Sequence, residues 1–169
     1  IMELSNYKHY IEKFNTNDVE NIKNLIDNSS ALEFLNKNAP KLYCPDKTIE
    51  ETFAFRTWTY RKHLKETPDG LVVTEFLPQV DWAGPHNTIS AALCFHLDEG
   101  RWFLFNDKLI DYIDFFLSGK GETYTYFTPA LYSIIKFLSI TGNFDYVKNN
   151  IEKLENYFSK WDERHLLSC

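Results

Sequence analysis

Apolar residues recur at Val147, Ile151, Leu154, Phe158 and Trp161, in steps of four, three, four and three that return each side chain to one face of an α-helix. A strand would turn alternate residues to opposite faces, so this pattern can bury its apolar surface only as a helix packed on other elements. The same period appears in Ile89, Ala92, Leu93 and Leu97, and again in Leu109, Ile113, Phe116 and Leu117. Helix packed on helix is therefore the expected core, and the fold class is all-α.

The punctuation between these stripes agrees. Asn17 with Glu20, Ser30 with Glu33, and Thr48 with Glu51 have capping-box spacing, which predicts three helix starts. The third helix is expected from about Ile49 to Leu64. Glu66-Thr67-Pro68-Asp69-Gly70 is turn chemistry followed by a β-branched run, which predicts one short β-hairpin near residues 71–77. Asn87 reads as the N-cap of a helix ending near Gly100, Asp107 as the cap of the next, and Thr128-Pro129 as the start of another that stops before Gly142. Thr141-Gly142-Asn143 is short enough to make the last two helices an antiparallel hairpin.

A chain of 169 residues has material for one core, so it is read as a single domain, 1–169, or the N-terminal part of a larger one. Its net charge of −6 opposes binding to a phosphate backbone, so nucleic acid is not an expected partner. No apolar run reaches the roughly 20 residues that span a bilayer, so neither is a membrane, and a cytoplasmic location is expected. Cys44, Cys94 and Cys169 lack the spacing of a metal site or a disulfide framework, so no metal or cofactor is expected. Aromatic residues make up 17% of the chain, enough to supply stacking faces for a ligand as well as a core.

Three clusters hold groups capable of chemistry. The first runs from Phe53 to His63 and contains Arg56, Trp58 and Arg61, with Arg56 and Tyr60 on one helix face. Taken alone, cation–π or salt-bridge packing at the core edge accounts for these arginines more readily than ligand binding does. The second, Thr74 to Asn87, combines Glu75 and Asp81 with Trp82 in a Gly/Pro-rich loop, where an indole has no simple structural use. The third, Phe95 to Trp102, sets His96 on an apolar stripe beside Glu99, Arg101 and Trp102, a combination that suits a polar pocket wall as well as a satisfied core histidine.

Taken in order, Phe55-Arg56-Thr57-Trp58-Thr59-Tyr60-Arg61-Lys62-His63, Thr67-Pro68-Asp69-Gly70, Thr74-Glu75-Phe76-Leu77-Pro78, Trp82-Ala83-Gly84, Asn87-Thr88-Ile89 and Glu99-Gly100-Arg101-Trp102 resemble the first part of the six-hairpin glycosidases. Within them the resemblance is to the trehalase- and mannosylglycerate-hydrolase-like group. It implies antiparallel helical hairpins forming part of an (α/α)6 toroid whose loops bind a carbohydrate. Carried over, it makes Arg56, Trp58, Arg61, Trp82, Asn87, His96, Glu99, Arg101 and Trp102 the expected substrate-binding residues. Thr57 and Leu93-Cys94-Phe95 depart from the family pattern.

Twelve helices with their connections need roughly 200 residues or more, so this chain would supply about half a toroid. Its open helical face would be covered by the remainder of its own polypeptide or by a second copy. The implied activity is hydrolysis, with inversion, of an α-linked glycan or small glycoside. The acid/base pair is expected beyond Cys169, with Glu75 and Glu99 as candidates inside the chain. The alternative is a non-catalytic helical module that binds sugar or a protein.

Overall fold

A computed structural model describes residues 5–165. The chain is all-α apart from one two-stranded sheet. Helix α1 spans Ser5–Asn17, α2 Asn28–Asn38 and α3 Lys47–Lys62. Strands β1 (Leu64–Thr67) and β2 (Gly70–Val73) follow, then α4 (Leu93–Gly100) and α5 (Leu109–Leu117). The last three helices are α6 (Ala130–Thr141), α7 (Phe144–Asn149) and α8 (Ile151–His165).

The first helix lies before the expected start, not after it. Tyr7, Tyr10, Ile11 and Phe14 fall at helical spacing and are buried, which docks α1 against α2 and α3. Asn17 therefore ends a helix, and residues 18–27 form an irregular loop. Glu20 accepts the backbone N–H of Asn28 at 2.8 Å, so its carboxylate serves the next helix instead of a capping box. The true caps of α2 and α3 are aspartates: Asp27 accepts from the Ser30 N–H at 2.8 Å, and Asp46 from the Thr48 N–H at 2.9 Å. A carboxylate there satisfies an orphan donor and also complements the positive end of the helix dipole.

The hairpin stands earlier than the expected 71–77, because α3 stops at Lys62. Leu64 pairs with Val73 and Thr67 with Gly70, leaving Pro68-Asp69 as the turn. Gly70 has φ +95°, and a Cβ there would lie 2.6 Å from the Cβ of Asp111, so both backbone and space require glycine. Asp111 in turn accepts the Leu71 N–H at 3.1 Å, joining β2 to α5. Leu71, Val72 and Val73 are all buried, so both faces of this strand are covered.

Helix α4 packs on α6, and Gly100 lies where a Cβ would overlap the Tyr60 hydroxyl and Leu109. Pro129, not Thr128, holds the N-cap position of α6, and the buried Thr128 hydroxyl has no hydrogen-bond partner among the described residues. The last stripe belongs to two helices rather than one: Asn150 takes a non-helical conformation, and its side chain donates to the Tyr146 carbonyl at 2.9 Å. Leu154 is buried and Val147 and Trp161 partly so, whereas Ile151 and Phe158 are exposed. With Phe127, Tyr132 and Ile135 they border an apolar groove between α6 and α8. Among the described residues no helix is long and apolar enough to cross a membrane.

Candidate functional site

An open pocket of about 630 Å³ lies where the C-terminal half of α3, the end of β2, the loop after it and α4 meet. From α3 come Arg56, Thr59, Tyr60 and, at its C-cap, His63. Steps of three, four and seven residues from Arg56 place these side chains on one helix face. Phe95, His96 and Glu99 come from α4, Glu75 and Phe76 from the segment after β2, and Trp82 from the turn beyond it.

The 75–87 loop is held from inside by one side chain. Asn87 is buried, and its Oδ1 accepts the Val80 N–H at 3.2 Å while its Nδ2 donates to the carbonyls of Phe76 at 2.5 Å and Pro78 at 2.8 Å. Its own carbonyl accepts the Glu75 N–H at 3.1 Å. His86 and Asn87 both have positive φ, a rare pair of left-handed residues that turns the chain back under the loop. Asn87 is thus the loop's hub and not the helix N-cap predicted from the sequence. The loop is also moored at the hairpin tip, where Asp69 meets His86 Nε2 at 2.8 Å and Lys120 Nζ at 2.7 Å.

Polar groups line one side of the pocket. The Arg56 guanidinium forks onto Oε1 of Glu99 through Nε at 3.2 Å and Nη2 at 2.5 Å. His96 lies between a phenol and a carboxylate: Nδ1 is 3.0 Å from the Tyr112 hydroxyl and Nε2 is 3.4 Å from Oε2 of Glu75. That imidazole holds the Glu75 carboxyl below its usual range, against the upward push of burial. His63 Nδ1 is 2.8 Å from the Thr74 carbonyl, which can only accept, so Nδ1 carries a proton. Burial pushes the His63 pKa down, which favours a neutral ring with Nε2 as an acceptor. Tyr60 donates to the His96 carbonyl at 2.9 Å, and burial drives its own pKa far up. Opposite these groups Trp82 is 64% exposed, set edge-to-face on Phe76 at 4.5 Å between ring centroids, with exposed Phe95 nearby.

Of the residues expected to bind substrate, the pocket brings together Arg56, Trp82, His96 and Glu99, with Glu75 beside them. The other five lie elsewhere. Trp58 is a core residue whose indole N–H donates to Asn15 at 2.8 Å. Arg61 is fully buried: it donates to the Ile26 carbonyl and to Asn28 and stacks over Trp58, so it ties the 18–28 loop to α3. Asn87 acts from beneath the loop. Arg101 lies over the Trp102 ring with Nη1 3.1 Å from Asp98, which also binds Lys136 at 3.0 Å, so this group links α4 to α6. Trp102 is exposed but does not line the pocket.

His63, Thr59 and Phe76 went unselected in the sequence although they border the pocket. The seven-residue step from Arg56 to His63 is the signal that could have found the histidine. Among the described residues no group of three or more His, Cys, Asp or Glu side chains is placed to hold a metal ion.

No protein-family model and no curated protein matches this sequence. A solved structure described as "Sialidase" does, with a TM-score of 0.88 and 29% sequence identity over 96% of this chain. The match spans 15% of the length of that structure. The chain therefore shares its fold with part of a protein that bears a glycosidase name.

Proposed function

We propose that this chain forms one wall of a glycan-binding pocket and works as the N-terminal portion of a glycoside hydrolase built on an (α/α)6 toroid of the trehalase-like kind. The observation that carries this reading is the pocket's division into an exposed aromatic side, Trp82 on Phe76, and a polar side of Arg56, Glu75, His96 and Glu99. A sugar presents the same two aspects, an apolar ring face to a stacking partner and hydroxyls to carboxylates and an N–H fork.

The charges favour a neutral sugar. Glu75 is held ionised, Glu99 faces a single guanidinium, and an anionic ligand would meet two carboxylates. A lowered carboxyl pKa also suits a hydroxyl acceptor better than a general acid, which needs its proton held near neutral pH. Glu75 is thus assigned to positioning, Glu99 likewise through its ion pair with Arg56, and the acid/base pair for inverting hydrolysis of an α-linkage to residues outside this chain.

Titration of the protein with neutral α-linked disaccharides of glucose, mannose and rhamnose, followed by Trp fluorescence and by NMR shifts of the pocket residues, tests the reading. Saturable shifts confined to the residues around Trp82, His96 and Glu99, weaker for uronic-acid analogues, are the expected result. Shifts for no sugar, or for acidic sugars only, would overturn it.

A second reading, a helical interaction module, is favoured by the apolar groove between α6 and α8. In the first reading that groove is where further helices of the same polypeptide pack. A monodisperse monomer that fails to bind the hydrophobic dye ANS would count against both uses of the face.

A further inference from the structure

Tyr112 lies on α5, is fully buried and does not border the pocket. A phenol O–H in that position must find an acceptor or leave a donor unsatisfied. Among the described residues its hydroxyl has one partner, Nδ1 of His96 at 3.0 Å. If Nδ1 carried the ring's only proton, it would donate to the phenol and strand the phenolic proton in the core. The phenol must therefore donate, which leaves Nδ1 bare and puts the imidazole proton on Nε2. Nε2 is the nitrogen that faces Oε2 of Glu75 at 3.4 Å. The carbonyl of His96 is fixed separately by Tyr60, so phenols from two helices grip one residue of α4.

We infer that Tyr112 is a positioning residue: its hydroxyl fixes the tautomer and orientation of His96, which in turn turns Oε2 of Glu75 inward and leaves Oε1 free to accept from a ligand. Oε1 takes no hydrogen bond from the described residues, and the Glu75 side chain is 38% exposed. The link from Tyr112 to Glu75 stands on the fold alone, while the use of Oε1 for a sugar hydroxyl rests on the glycan reading.

The test uses the protein without any ligand. In a long-range 1H–15N spectrum at pH 8, with the His96 signals identified by their loss in His96→Gln, wild-type His96 shows the Nε2–H tautomer. An Nδ1–H tautomer overturns the inference, whether or not any variant folds. In Tyr112→Phe the Nδ1 resonance moves to the position of an unbonded ring nitrogen, and an unmoved resonance overturns the inference.

The Glu75 carboxyl, followed by 13C NMR, titrates below 4.5 in the wild type and moves up toward that ordinary value in Tyr112→Phe. Glu75 is faced by His96 from α4 and by His63 and Arg56 from α3, so both proteins are compared with those three groups intact. An unchanged Glu75 titration would show that Tyr112 is structural only. A wild type that binds no sugar yet gives these spectra would fail the glycan reading and keep the inference.

Discussion

At the scale of single residues, three side chains separate binding from folding. Trp82 is largely exposed and touches the fold through Phe76, so Trp82→Ala should lower sugar affinity about tenfold or more while changing the melting temperature little. A drop of many degrees would assign the indole to the core. Asn87 is the reverse case. Asn87→Ala strips two carbonyls and one N–H of their partner and leaves alanine in the left-handed region, an expected cost of about 2–4 kcal/mol in urea unfolding. An unchanged unfolding midpoint would remove Asn87 from its place as hub. His63 gives a pH signature. Its folded-state pKa lies below the ordinary 6.5, so the unfolded chain takes up protons first as pH falls. The neutral ring's advantage is complete above 6.5 and is lost as pH drops toward the folded-state value. Unfolding measured at pH 8, 6 and 5 should fall more steeply for the wild type than for His63→Gln, and parallel curves would contradict the assignment.

At the scale of elements, periodicity predicted identity better than edges. The stripes at Leu93–Leu97 and Leu109–Leu117 became α4 and α5, and the stop before Gly142 held, with Gly142 in the left-handed conformation. The edges that moved did so because local chemistry had more than one use for the same residue. Glu20 fits a capping box by spacing, yet it reaches Asn28, eight residues on, a choice no window of four residues can register. Asn87 has the side chain of a cap and the neighbours of one, but the loop before it offered three backbone partners. The close contact between α3, α4 and α5 at Gly100 could not be read from the chain, because it depends on where Tyr60 and Leu109 arrive. Gly100→Ala should cost about 1–3 kcal/mol by forcing the Tyr60 hydroxyl off the His96 carbonyl. If the shifts of His96 stay fixed in that variant, the two elements are less tightly coupled than their packing indicates.

At the scale of the molecule, four of the nine residues expected to bind substrate share one pocket and five lie outside it. Arg56, Trp82, His96 and Glu99 converge from three separate parts of the chain. Trp58 and Arg61 share the same short motif but turn to the opposite side of α3, where an arginine over an indole fastens the 18–28 loop. Motif membership did not distinguish the two sides, although an angular step of about 100° per residue sets Arg61 well away from Arg56. The apolar groove between α6 and α8 is the counterpart of that pocket on the other part of the fold, and it follows from a stripe that runs beyond what a single neighbouring helix can cover. The loop that carries Glu75, Phe76 and Trp82 is stapled to itself by Asn87 and to the hairpin by Asp69, so its entropy is surrendered when the chain folds and not when a ligand arrives. A wall ordered in advance selects by shape: it should admit a ring of one geometry at close to its full encounter rate and reject its epimers by misfit.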